Sequence, residues 1–331
     1  MTALRLGLVA AAALAAVAIG ILVGGVPLAP ADVARALAHP AGSDDAAVIV
    51  WTLRLPRVGV AAVVGGALAI AGFLLQGMLR NPLVDPFLTG VSAGAAAAIA
   101  LGVAAGVAAP FVPALGFVAG LATALLVAAL ARRGTGIDAE RLILAGVSLS
   151  ALFSAVVALV LTRLGPSSAQ QILAWLAGSL AGRTWGSLAA AAPYALAGLA
   201  LSVAAVPALN ALRIGEARAG AAGVDVARMQ WLLLAAATLL TASAVALAGI
   251  VGFVGLIVPH LARRLVGSDG RVALPASALL GAALVIVADA AGRSLMPPAE
   301  IPLGVLLAFV GVPAFLYLYL GPTGKARLWG A

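Results

Sequence analysis

Apolar positions along this chain come in long blocks rather than in alternating or one-sided stripes. The blocks lie at about 6–26, 58–79, 88–109, 113–131, 142–162, 187–209, 231–250, 252–266, 272–291 and 301–320. A transmembrane helix needs about 20 predominantly apolar residues, so blocks of this length joined by short polar stretches predict ten membrane-crossing helices. The first block follows Arg5; it is longer than the apolar core of a signal peptide and is read as a retained span. The stretch from Trp231 to His260 is too long for one helix and is punctuated by Gly249, Gly252, Gly255 and Pro259. That punctuation predicts a full span, a tight turn and a short returning helix.

Loop charges test this division. With a cytoplasmic N-terminus and ten crossings, Arg35, Arg54, Arg57, Arg163, Arg183 and Arg293 fall outside and the other 13 of the 19 basic residues fall inside, as the positive-inside rule requires. Merging the eighth block into the seventh would leave 9 inside and 10 outside. Ten spans with both termini cytoplasmic fit better.

Composition narrows the chemistry. The chain is 64% hydrophobic and 9% charged, against roughly 45–50% and about 25% in soluble domains. Residues 1–331 are therefore read as a single transmembrane domain. The absence of cysteine excludes thiol chemistry, iron-sulfur ligation and thiolate zinc, and two histidines argue against a metal site. A net charge of +8 in such a chain orients loops and meets anionic lipid rather than nucleic acid. Small residues recur at helical spacing, Gly65, Ala69 and Gly72 and again Gly90, Gly94 and Ala98, which suits close backbone approach between helices in lipid.

Five segments carry more than hydropathy. Arg54-Leu-Pro-Arg57 opens the second span. Gln76-Gly-Met-Leu-Arg-Asn-Pro-Leu-Val-Asp-Pro86 closes it with a rigid turn displaying Asn81, Leu83 and Asp85. Gly215-Glu-Ala-Arg-Ala-Gly-Ala-Ala-Gly-Val-Asp225 is the longest polar inner loop, read as two short surface helices. Gly252-Phe-Val-Gly-Leu-Ile-Val-Pro-His260 and the terminal segment from Glu300-Ile-Pro to Leu316 complete the set.

In this order, from about residue 50 to 320, these segments resemble the permeases of type II ATP-binding-cassette importers, the family that takes up vitamin B12, ferric siderophores and haem. The resemblance implies an all-α, vitamin-B12-permease-like fold of ten helices, paired with a second copy of itself, two cytoplasmic ATPase subunits and a periplasmic binding protein in the bacterial inner membrane. ATP and Mg would be used by the ATPase, with no cofactor on this chain.

The resemblance also implies roles. The ATPase would be met by Glu216, Ala217, Arg218, Ala219, Gly220, Gly223 and Asp225; Arg218 and the late Gly223 depart from the general importer pattern, so this assignment rests on position. Arg54, Arg57 and Arg293 would grip carboxylates of the binding protein. An inner gate would involve Asn81, Leu83, Gly146 and Ser148, and the pathway Arg163, Gln171, Trp175 and Arg183. The two pathway arginines favour anionic haem or ferric siderophore over cobalamin.

Other functions find less support. An ion-coupled transporter needs embedded acids, and Asp289 is the only acid within a predicted span; spaced i to i+4 from Arg293, it is read as a local ion pair. His260 is read as a packing or loop-bonding residue rather than a haem ligand, and no motif selects a serine for an intramembrane protease. Gly324-Lys325 lacks the rest of a phosphate loop, so this chain is no ATPase.

Overall fold

The structure is a computed structural model describing residues 2–40, 42 and 44–320, the side chains of 318–320 excepted. Lys325 and Arg327, which the topology reading places inside, lie outside the described residues. The chain opens with α1 (Thr2–Leu22), followed by α2 (Pro30–Ala38) and α3 (Asp45–Val48). A π-helical stretch, Ile49–Arg54, carries α3 directly into α4 (Leu55–Met78). Next come α5 (Val91–Ala104), α6 (Val112–Leu130), a small hairpin of β1 (Arg132–Arg133) and β2 (Gly136–Ile137), α7 (Ala139–Leu161), α8 (Pro166–Leu176) and α9 (Trp185–Arg213). The chain ends with α10 (Glu216–Ala221), α11 (Val226–Ala248), α12 (Val254–Val266), α13 (Gly270–Ser294) and α14 (Leu303–Leu320).

Every apolar block carries one helix. Among the described residues, seven helices are long and apolar enough to cross a membrane. The fold is that of an all-α, multi-pass membrane protein. The break between the seventh and eighth blocks is real: Gly249 and Phe253 both take positive φ, 71° and 68°, and α12 starts immediately after. Two predictions are corrected. Residues 215–225 hold one short helix, α10, and not two. The second span does not begin at the Arg-Leu-Pro-Arg segment, because the helix already runs from Asp45.

The π stretch accounts for that continuity. Leu55 N–H donates to the Val50 carbonyl, five residues back instead of four, just ahead of Pro56, which has no N–H to give. The Trp51 carbonyl is spared and accepts the Trp185 indole N–H at 2.9 Å. The π-helical stretch is thereby anchored to the start of α9.

The core is built around α4, in which every residue from Val64 to Met78 is buried. A helix apolar on all faces belongs at the centre of a bundle. It is surrounded by α13, α11, α9 and α12. The small-residue stripe makes this approach possible: Gly65 meets the Gly281 carbonyl and Gly72 meets the Gly255 carbonyl with no room for a β-carbon. The second stripe does the same work, with Gly94 of α5 against Thr123 of α6.

Candidate functional site

At one end of the bundle, three arginines and two acids form a continuous cluster. Arg57 Nε lies 3.0 Å from both oxygens of Asp289, and its Nη2 lies 2.8 Å from Asp289 Oδ1. The same guanidinium donates to Glu300 at 3.0 and 2.8 Å. Arg293 Nε pairs with Asp289 Oδ2 at 3.0 Å, so the ion pair expected within α13 is present, with Arg57 as a second partner. Asp289 is thus held by two guanidinium groups. Glu300 is the accessible member, its side chain 40% exposed, and hydrogen bonds from Arg57 hold its carboxyl below the usual range.

The structure corrects the exposure expected of two of these arginines. Arg54 is 3% and Arg293 6% exposed. Arg54 Nη1 donates to the Ile21 and Leu22 carbonyls at 2.6 and 2.8 Å, and its Nη2 to Val26; Arg293 Nη2 donates to Gly20 at 3.1 Å. The last carbonyls of a helix have no partner within it and carry the negative end of its dipole. Arg54 and Arg293 are spent on closing the C-terminus of α1. Arg57, with a side chain 13% exposed, is the member that still reaches the surface beside Glu300.

At the other end of α4 the turn after Met78 is self-braced. Asn81 Oδ1 accepts the Leu83 N–H at 2.9 Å, leaving Leu83 41% exposed. Asp85 caps the following 3₁₀ turn through the Phe87 N–H at 2.9 Å, and burial pushes its carboxyl up to about 6. Gln76 ties the turn to α12: its Nε2 donates to Val84 at 3.3 Å and to Gly255 and Leu256 at 3.1 Å, and its Oε1 accepts from Arg263. No role was assigned to Gln76 from sequence, although one amide in an otherwise apolar run was the available signal. Gly146 sits two turns inside α7, pressed against the Leu88 carbonyl, while Ser148 is exposed. The turn and α7 are therefore in direct contact. His260 is 9% exposed, with Nε2 lacking a hydrogen-bond partner among the described residues.

In the loop between α9 and α11, α10 turns Ala219 fully inward at 0% exposure and leaves Glu216, Ala217, Arg218 and Gly220 exposed. Gly223 has φ of 83°, and Asp225 caps α11 by accepting the Arg228 N–H at 3.0 Å. Glu216 accepts a bond from Gln230 at 3.3 Å, and Gln230 also accepts the Ile137 N–H at 2.9 Å. The exposed face of α10 is thus fixed to α11 and to the β-hairpin.

The expected pathway residues do not converge. Arg163 and Gln171 are exposed, with Arg163 beside Leu159, Val160 and Ala104 in a recess of about 290 Å³. Trp175 points inward, joining the apolar cluster of Ile172, Ala97 and Ala100. Arg183 lines a separate cleft between α6 and α9, and burial lowers its pKa from the ordinary arginine value.

Residues 12–321 match the FecCD transport family, and the chain belongs to that family. The cobalamin import system permease BtuC of Halobacterium salinarum is 39% identical over 91% of this chain and 81% of its own length. The hemin transport system permease HmuU of Yersinia pestis is also 39% identical, over 84% of this chain and 85% of its own. A solved chain described as an inward-facing conformation of a metal-chelate type ABC transporter superposes with a TM-score of 0.85 at 32% identity, covering 95% of this chain and 98% of that one. The protein is a permease subunit of a type II ABC importer, a transport protein rather than an enzyme, and ATP hydrolysis belongs to a separate subunit.

Proposed function

We propose that the chain is the permease of a haem or ferric-siderophore importer of the bacterial inner membrane. It crosses ten times with both termini cytoplasmic, pairs with a second copy, and works with two ATPase subunits that use ATP and Mg. A periplasmic binding protein delivers the cargo, and this chain itself binds no cofactor. The observation that carries the reading is the uncovered face of α7. Only 17% of its apolar window is buried, the lowest share among the seven long helices, and Leu144, Val147, Leu152 and Leu159 stand exposed. Phe309 and Val310 of α14 are uncovered too, at 77% and 55%. A second copy covering these faces would place the pathway between the two.

Exposed Arg163 at one end of α7 favours an anionic cargo by lowering its cost of approach. Coupling is assigned to the exposed face of α10. Docking is assigned to the surface around Arg57, where an acid of the binding protein would exchange with Glu300. Cobalamin is the second reading, favoured by the cobalamin permease relative.

The test is ATP-driven uptake in proteoliposomes holding permease, ATPase and binding protein, with haem, a ferric siderophore and cobalamin offered separately. Haem or siderophore uptake supports the first reading and cobalamin uptake alone the second. Transport by a single copy without ATP overturns both.

A further inference from the structure

Helices in this bundle generally meet at small residues, but α6 and α9 do not meet in this way. Between them runs a cleft of about 520 Å³, floored by α11 and open sideways. Phe117 and Val118 of α6 form one wall, Ala190 and Tyr194 of α9 the other. The Phe117 and Tyr194 rings touch at 4.5 Å between centroids and bridge the gap. On the floor, Ser243 spends its hydroxyl on the Leu239 carbonyl at 2.7 Å. The walls continue into uncovered surface, Val118 being 62% and Tyr194 47% exposed. The trench is mostly apolar, with Ser187 and Ser243 as the small polar exceptions apart from Arg183.

Arg183, from the loop between α8 and α9, stands at the end nearest Pro110 and Gly186. Its Nε is buried without a hydrogen-bond partner, and no acid pairs with it among the described residues. Arg183 is half-buried; a desolvated N–H without an acceptor is costly, and the fork geometry of the guanidinium matches phosphate oxygens. An apolar trench opening toward the bilayer with one unpaired cation at its end has the chemistry of a phospholipid turned inside out.

We propose that this cleft binds one anionic phospholipid, its phosphate on Arg183 and an acyl chain between Phe117 and Tyr194 on one side and the open bilayer on the other. A zwitterionic lipid brings an ammonium group along with its phosphate and fits the lone cation less well. The leaflet follows from the proposed topology, with Arg183 outside. The site itself needs only that the chain lies in a membrane, so it stands or falls separately from cargo and coupling.

The experiment is native mass spectrometry of the full chain titrated with dioleoyl phosphatidylglycerol, with dioleoyl phosphatidylcholine, or with inorganic phosphate. The first lipid is expected to be retained about tenfold better than the second, the scale of one charge-assisted bond. Arg183→Gln should remove most of that preference, while Arg35→Gln, at an exposed arginine already paired with Asp32, should keep it. Ala190→Phe places a ring in the cleft from an exposed position and should lower retention of both lipids at unchanged melting temperature. Three results would overturn the proposal: equal preference in wild type and Arg183→Gln, retention indifferent to Ala190→Phe, or displacement of lipid by millimolar inorganic phosphate.

Discussion

Gly146 of α7 faces the carbonyl oxygen of Leu88 with no room for a β-carbon between them. The obstructing atom is backbone, in a turn braced by Asn81 and Asp85, so it cannot rotate away. Gly146→Ala must push α7 off the turn. Overpacking of this kind costs about 1–3 kcal/mol, and the upper end is expected here. Ser148→Ala, on the exposed side of the same helix, should stay within about 0.5 kcal/mol. Thermal unfolding in detergent compares the two, and reconstituted uptake should fall only in the first.

The loop carrying α10 gives a second contrast. Ala219 is fully buried, so Ala219→Leu should destabilise the permease by about 1–3 kcal/mol through overpacking. Gly220 has open space where a β-carbon would go. Gly220→Glu should leave the melting temperature unchanged, yet reduce ATPase stimulation by binding protein if the exposed face of α10 is the coupling surface. Stimulation at the wild-type level in a correctly assembled Gly220→Glu complex would remove α10 from that surface.

The arginine cluster separates a buried charge from an accessible one. Asp289→Asn leaves Arg57 and Arg293 without their shared carboxylate and should cost about 3–5 kcal/mol, as breaking a buried pair does. Glu300→Gln removes a pair whose acid is 40% exposed and should cost under about 1 kcal/mol. With Arg57 freed of its outer partner but still held by Asp289, binding-protein association measured by surface plasmon resonance should speed up and become more sensitive to salt. A slower association in Glu300→Gln would show that Glu300, and not Arg57, is the group the partner meets.

Asp85 introduces a pH dependence with a definite sign. Its carboxyl is raised from 3.8 to about 6, so the fold holds that proton more tightly than the unfolded chain does. Its contribution to stability is greatest below pH 3.8, falls as the proton leaves toward about 6, and is flat above. The drop is on the order of 3 kcal/mol. Asp85→Asn should remove this component, visible as a shallower decline in melting temperature across that window than in wild type.

Much of the fold was legible because membrane helices announce themselves by length and hydropathy. The division at Gly249 was legible because positive φ and helix breaking both call for glycine, and α12 begins only a few residues later. The burial of Arg54 was not legible. It depends on carbonyls at Ile21, Leu22 and Val26, roughly thirty residues away, and nothing local marks a helix end that needs an external donor. Arg57 and Glu300 lie 243 positions apart, and only the packing of α13 on α4 brings them together. The inward turn of Ala219 was hidden for a simpler reason: in a loop rich in alanine, burial depends on helix phase, and a helix of six residues is too short for its phase to be read.

At Gly65 and Gly281, and again at Gly72 and Gly255, main chain rests on main chain. Where side chains fill a helix seam they can change rotamer and let the helices slide, the small shearing steps by which many proteins change shape. At these four glycines there is no side chain between the helices to rearrange. At these points α4, α12 and α13 are joined as a girder, and under the proposed two-copy arrangement access would alternate by tilting that girder whole, with α7 and α14 as the surfaces that roll. A single added methyl on one of the four glycines would not jam a moving part; it would bend the frame on which the moving parts are hung.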